Sequence, residues 1–167
     1  STSFDSGTVT LQNNTVFSGN STNDPMALII ASPAIIENNI LFGSRCIHEG
    51  NINADPIRLF ANNLYGCEQS YFYYDDDAQC TGNADGDDDA HTCTLAEMNQ
   101  LPDMQVDESN INVDLGFDTQ VDADWHLKPT SPSSVKFGGI DLSIDFSTDK
   151  DGTLRTVPWS IGAYEQD

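Results

Sequence analysis

The sequence predicts an all-β parallel solenoid, and three observations carry that expectation: a recurring asparagine turn, short β-rich runs between turns, and acids that are mostly aspartate. The turn recurs in 9–20 (VTLQNNTVFSGN), 34–44 (AIIENNILFGS) and 59–66 (LFANNLYG). Its pairs Asn13-Asn14, Asn38-Asn39 and Asn62-Asn63 lie 25 and 24 residues apart, the length of one coil in a parallel β-solenoid. Asparagine tolerates left-handed backbone angles and bonds its own local backbone, so such a pair marks a tight bend. Coils stacked about 4.8 Å apart let the same Asn in each coil bond to its neighbours. The flanking apolar residues align as inward ladders, one of Leu11, Ile36 and Phe60 and a second near Val16, Leu41 and Tyr65.

Residues 1–74 form the regular coils, with runs such as MALIIA and YFYY between turns. Residues 75–93 (DDDAQCTGNADGDDDAHTC) differ in kind: seven Asp and almost no apolar side chain make them a surface excursion. Thr94 and Glu97 then have capping-box spacing, Leu95, Met98 and Leu101 recur at helical intervals, and Pro102 stops the segment. A short helix over about 95–101 is expected, its apolar face covering the solenoid. Residues 103–167 lack the Asn pair and are expected to finish the last coils and close the C-terminal end.

At 167 residues the chain is one domain by length. It begins at Ser1 with no apolar signal region and no run long enough to span a membrane, and without a polar cap before the first coil. It therefore reads as a C-terminal fragment whose open end meets upstream coils or a partner, end-to-end association included.

The 27 acidic and 6 basic residues give a formal charge of −21, and Asp outnumbers Glu by 21 to 6, as strand-and-loop proteins favour. That field repels nucleic acid and anionic membranes, and leaves divalent cations and neutral ligands as partners. Cys46, Cys67, Cys80 and Cys93 form an even set without a CxxC pair, which favours disulfides over zinc. Of three connectivities, Cys46 with Cys67, about one coil apart, and Cys80 with Cys93, closing the acidic loop, are preferred.

The strongest site pattern is 83–89 (NADGDDD). Oxygen ligands at alternate positions around a turn-permitting Gly suit Ca²⁺, and Asn83, Asp85, Asp87 and Asp89 are the candidate ligands, with 75–77 brought near by the Cys80–Cys93 bridge. The twelfth position is Thr94, not the bidentate Glu of an EF-hand. A weaker second set is Asp145, Asp149 and Asp151, for which a turn role leads, with Arg155 pairing one of these carboxylates. No catalytic residue is singled out: the six basic residues are scattered, 27 acids hide any hydrolytic pair, and no GxSxG, HExxH or phosphate-loop pattern is present.

The runs 124–138 (DWHLKPTSPSSVKFG) and 149–166 (DKDGTLRTVPWSIGAYEQ) resemble the C-terminal signature of bacterial right-handed parallel β-helix proteins, the pectin-lyase-like surface or secreted proteins of the choice-of-anchor Q type. Asp124, His126, Leu127, Pro129, Ser131 and Pro132 match its first part, Asp149, Asp151, Gly152 and Arg155 its second, and 161–165 its ending. Trp125 departs from the usual Tyr. The resemblance spans about 45 residues and implies a right-handed parallel β-helix in an extracellular or cell-surface setting. It implies no defined reaction, because the fold hosts lyases, hydrolases, adhesins and stalks. The expected function is a non-catalytic, calcium-stabilised scaffold for adhesion or for contact with carbohydrate or a surface protein. The alternative is the end of a polysaccharide lyase or glycoside hydrolase whose catalytic residues lie on upstream coils. Trp125 and His126, though suggestive of a sugar platform, fall within the closing signature and are assigned to packing.

Overall fold

The computed structural model describes residues 7–18, 26–43, 45–51, 54–67, 69–73, 80, 82–83, 91–101, 105–106, 109–117 and 124–165. The chain makes three passages through three sheets, in the same order each time. The first passage supplies β1 (Val9–Gln12), β2 (Thr15–Phe17) and β3 (Met26–Ile30); the second supplies β4 (Ala34–Glu37), β5 (Ile40–Phe42) and β6 (Arg45–Glu49); the third supplies β7 (Pro56–Phe60), β8 (Asn63–Tyr65) and β9 (Gln69–Tyr73). Strands of successive passages pair in parallel. Two short strands extend the third sheet: β11 (His91–Cys93) pairs antiparallel with β9, and β10 (Gly82–Asn83) pairs antiparallel with β11. After helix α1 (Leu95–Met98), strand β12 (Gln105–Val106) returns to the first sheet beside β7, and Ile111 bridges to Asn63 of the second. The fold is thus mostly strand, with α1 and α2 (Ser133–Lys136) as its helices among the described residues.

The bend between the first and second sheets sets the register. Asn13, Asn38 and Ala61 take positive φ of 52°, 55° and 52°, the left-handed conformation that costs an ordinary side chain about 1–2 kcal/mol. The residue after each bend is a rung of an asparagine ladder that is buried from Asn39 onward. Asn14 donates from its backbone N and from Nδ2 to Asn39 Oδ1, at 2.9 and 3.1 Å. Asn39 repeats this on Asn62 Oδ1 (3.0 and 3.0 Å) and Asn62 on Asn110 Oδ1 (3.1 and 2.9 Å).

This corrects the expected alignment in the third passage. The rungs are 25 and then 23 residues apart, so Asn62 continues the ladder while Ala61 occupies the bend. The inward ladders run Leu11, Ile36, Leu59 and Val16, Leu41, Leu64; Leu59 and Leu64 stand where Phe60 and Tyr65 were expected. Because strand side chains alternate faces, a one-residue shift sends each neighbour outward. Phe60 instead packs under the Arg58 guanidinium at 4.8 Å, and Tyr65 ends an outer stack with Phe42 and Phe17, at centroid spacings of 5.1 and 5.0 Å. Gly66, at φ 74°, turns the chain where a Cβ would meet the Phe42 ring at 2.6 Å. Asn110 is a fourth rung that the sequence reading missed.

Between the sheets lies one apolar core that includes Ile36, Leu41, Ile47, Leu59 and Leu64, each fully buried and worth about 2–3 kcal/mol. Met98 and Leu101 join it from α1 and the turn that follows. The expected capping box is present, Thr94 Oγ1 accepting from Glu97 N at 3.3 Å and Glu97 Oε2 from Thr94 N at 2.8 Å. The helix is shorter than expected, because Asn99 ends it and turns its carboxamide to Asn110. Disulfides join Cys46 to Cys67 and Cys80 to Cys93, with Cα separations of 5.7 and 4.9 Å.

The C-terminal segment packs outside the second sheet, where Leu115, Leu127, Val135 and Ile161 bury Ile40. Gly162 N donates to Asn38 O at 2.7 Å and Ala163 N to Thr15 Oγ1 at 3.2 Å, fixing the tail across two passages.

Candidate functional site

Alternate residues of a strand share a face, and on the first sheet the outward set is Thr10 and Gln12, Ile35 and Glu37, and Arg58. With the segment 140–146 as its far wall this face forms a groove of about 590 Å³. Glu37 is 1% exposed at its floor, with Oε1 2.7 Å from Arg58 Nη2 and Oε2 accepting from Gln12 Nε2 at 2.9 Å. The same Nε2 lies 3.4 Å from Asp145 Oδ2, so one carboxamide links two carboxylates. Ile140, Leu142 and Phe146 give the opposite wall an apolar character, and Ile144 stands at the rim, 94% exposed. Gln12, Glu37 and Arg58 were not singled out in the sequence, although Gln12 and Glu37 hold the same place before successive Asn pairs.

A second cluster joins residues 124–126 to residues 150–164. His126 Nδ1 is bonded to Asp124 Oδ1 and Nε2 to Asp151 Oδ2 at 2.9 Å, while the ring packs on Tyr164 with centroids 3.9 Å apart. A carboxylate at each nitrogen favours the protonated imidazole: Asp124 first and then Asp151 push its pKa above the usual value. Lys150 Nζ lies 3.4 Å from Asp151 and above the Tyr164 ring. Trp125 packs against Phe17 and Phe117.

The weaker calcium set is dispersed among these contacts. Burial of Asp149 opposes its charge, yet backbone N–H groups of Glu165, Thr153 and Asp151 together hold its carboxyl below the usual range. Asp151 serves His126 and Lys150, and Asp145 faces Gln12. Among the described residues no three His, Cys, Asp or Glu side chains gather to hold a metal ion. Of the stronger set, Asn83 pairs its backbone with His91 in the β10–β11 ladder, whereas Asp85, Asp87 and Asp89 lie outside the described residues, as do 75–77. Of the three candidate carboxylates Arg155 acts on Asp149 only, through its charge and without a hydrogen bond: its buried guanidinium donates to Glu165 Oε2 at 3.2 Å and to the carbonyls of Ser160 and Gly162, because the tail folds back over it. Burial pushes the Glu165 carboxyl up, against the pull of Ser160 and Arg155.

These residues define an all-β, disulfide-bonded protein with parallel sheets, a polar-floored groove and, among the described residues, no helix long and apolar enough to cross a membrane. No family model, no curated protein and no solved structure matches the chain.

Proposed function

We propose that the three sheets are faces of a right-handed parallel β-helix belonging to an exported bacterial surface or secreted protein of the pectin-lyase-like, choice-of-anchor Q type. Its function is that of a non-catalytic, calcium-stabilised scaffold that contacts carbohydrate. The observation that carries the ligand is the groove: carboxylate, guanidinium and carboxamide on its floor suit hydroxyl pairs, and its apolar wall suits the C–H face of a sugar ring. The charge of −21 favours a neutral glycan over a polyuronate. The two disulfides fit an oxidising, extracellular setting. Affinity electrophoresis through neutral and anionic polysaccharides tests this reading. Retention by a neutral glycan, weakened about tenfold by Gln12→Ala with Tm held, is expected; passage through all of them unretarded refutes it.

One observation favours hydrolysis as a second reading. Glu37 and Asp145 share Gln12 across a groove, and two facing carboxylates are what glycoside hydrolysis uses. Release of reducing ends that disappears in both Glu37→Gln and Asp145→Asn would favour it over simple binding.

A further inference from the structure

The groove continues past the bend of the first passage. Gln12 and Phe146, which line it, also line a second hollow of about 340 Å³, with Asn13 on one side and residues 148–150 and Arg155 of the closing segment on the other. Unpartnered polar groups collect beside this hollow. Asn13 is only 7% exposed, and among the described residues neither its Oδ1 nor its Nδ2 has a hydrogen-bond partner. Arg155 spends its Nη atoms on Glu165, Ser160 and Gly162, but its buried Nε has no partner among the described residues either. Two donors and an acceptor are thus left unmade at the border of one cavity, and buried polar groups are normally satisfied.

These groups select among ligands. A carboxylate only accepts, so it leaves Asn13 Oδ1 unpaired, and it would face Asp149 in the same lining. An ammonium only donates, and it would face Lys150 and Arg155. A sugar hydroxyl both donates and accepts but brings nothing apolar to the Phe146 ring and the Ala163 methyl. A secondary amide with a methyl group suits all of them. Its N–H and C=O point in opposite directions, so they address opposite walls: N–H to Asn13 Oδ1, and C=O to Arg155 Nε and the Lys150 ammonium. Asn13 Nδ2 is left for the hydroxyl next to the amide on a sugar ring. The exposed members of the lining, Thr148 and Lys150, are the side chains that can part to admit it.

We infer that the hollow is a subsite for the acetamido group of an N-acetylhexosamine unit, and that the neutral glycan of the adjoining groove carries such units. The inference rests on the reading of the groove as a glycan site and adds to it the substituent that is recognised. Gln12 and Phe146 belong to both cavities, so neighbouring units of one chain occupy them together. An acetamido group is uncharged, which agrees with a protein of charge −21 that disfavours polyanions.

The test is an NMR titration of the isotope-labelled protein with N,N′-diacetylchitobiose and, separately, with cellobiose, which share a linkage and differ by an acetamido group in place of one hydroxyl on each ring. The acetylated disaccharide is expected to shift the Asn13 side-chain amide and the Ala163 backbone amide saturably at millimolar concentration, and to bind at least fivefold more tightly than cellobiose. Asn13→Gly removes the carboxamide while glycine keeps the left-handed bend, and it is expected to erase that difference. If the variant does not fold, a nuclear Overhauser contact between the acetyl methyl and Ala163 in the parent decides. Equal affinity for the two disaccharides, with shifts confined to Thr10 and Ile35, overturns the inference and leaves the groove as a glycan site. No shift from either overturns the inference, and affinity electrophoresis then decides the groove separately. Equal shifts of the hollow by N-acetylglycine methylamide assign it to a peptide and overturn the inference as well.

Discussion

Asn39 and Asn13 follow the same sequence logic and end in opposite circumstances. The Asn39 side chain donates to Leu11 O, Glu37 O and Asn62 Oδ1 while accepting from Asn14, whereas the buried Asn13 carboxamide has no partner among the described residues. Within the fold Asn13 serves through its backbone, holding φ at 52°, and Asn39 through its side chain. His126 shows a third use of a polar residue, bonded at one ring nitrogen to Asp124 and at the other to Asp151. Its pKa is raised on folding, so its contribution to stability is complete below about pH 6.5, the unfolded value, and fades as pH rises through the folded one. The Tm difference between the parent and His126→Gln, measured from pH 5.5 to 9, is expected to shrink as pH rises. A difference that stays constant across that range would mean the two bonds are not ionic.

The elements show which parts of the fold are legible in the linear text. The bend and the capping box at Thr94 could be read directly, because each depends on residues close in sequence, and the first two members of each apolar ladder because they hold fixed places beside the repeated Asn pair. Cys46 and Cys67 were also legible, lying about one passage apart. The third passage was misread because Asn62-Asn63 mimics the pair before it, while the shorter return of 23 residues puts Ala61 in the left-handed position. Asn110 escaped notice because Ser109, not Asn, precedes it, and the Glu37–Gln12–Arg58 groove because its members are scattered along the chain. The disulfide from Cys46 to Cys67 encloses a separation of 21 residues, for which chain entropy gives about 3 kcal/mol. The double variant Cys46→Ala with Cys67→Ala is expected to lose about that much in urea unfolding. A loss below about 1 kcal/mol would show that the β6–β9 pairing fixes this contact without the bond.

Across the whole molecule the charge of −21 opposes compaction, and the seven Asp of 75–93 concentrate that repulsion in one stretch. Neutralisation by a divalent ion and screening by salt both relieve it, and they differ in concentration dependence. At constant ionic strength of about 0.15 M, where screening acts over only about 8 Å, millimolar Ca²⁺ is expected to raise Tm and EDTA to reverse the gain. If Na⁺ and Mg²⁺ matched to that ionic strength do as well as Ca²⁺, the loop is only a screened surface.

The ladder measures the chain only at its bends. Successive rungs are separated by 25, 23 and then 48 residues, yet the hydrogen bonds between them are nearly the same. What happens between one asparagine and the next is left free, provided the chain comes back to the same place, and the 48-residue stretch uses that freedom for a hairpin, a disulfide and a helix. New sequence can therefore enter between rungs without disturbing the core, so such a chain can acquire new surfaces by insertion while its inward residues stay as they are.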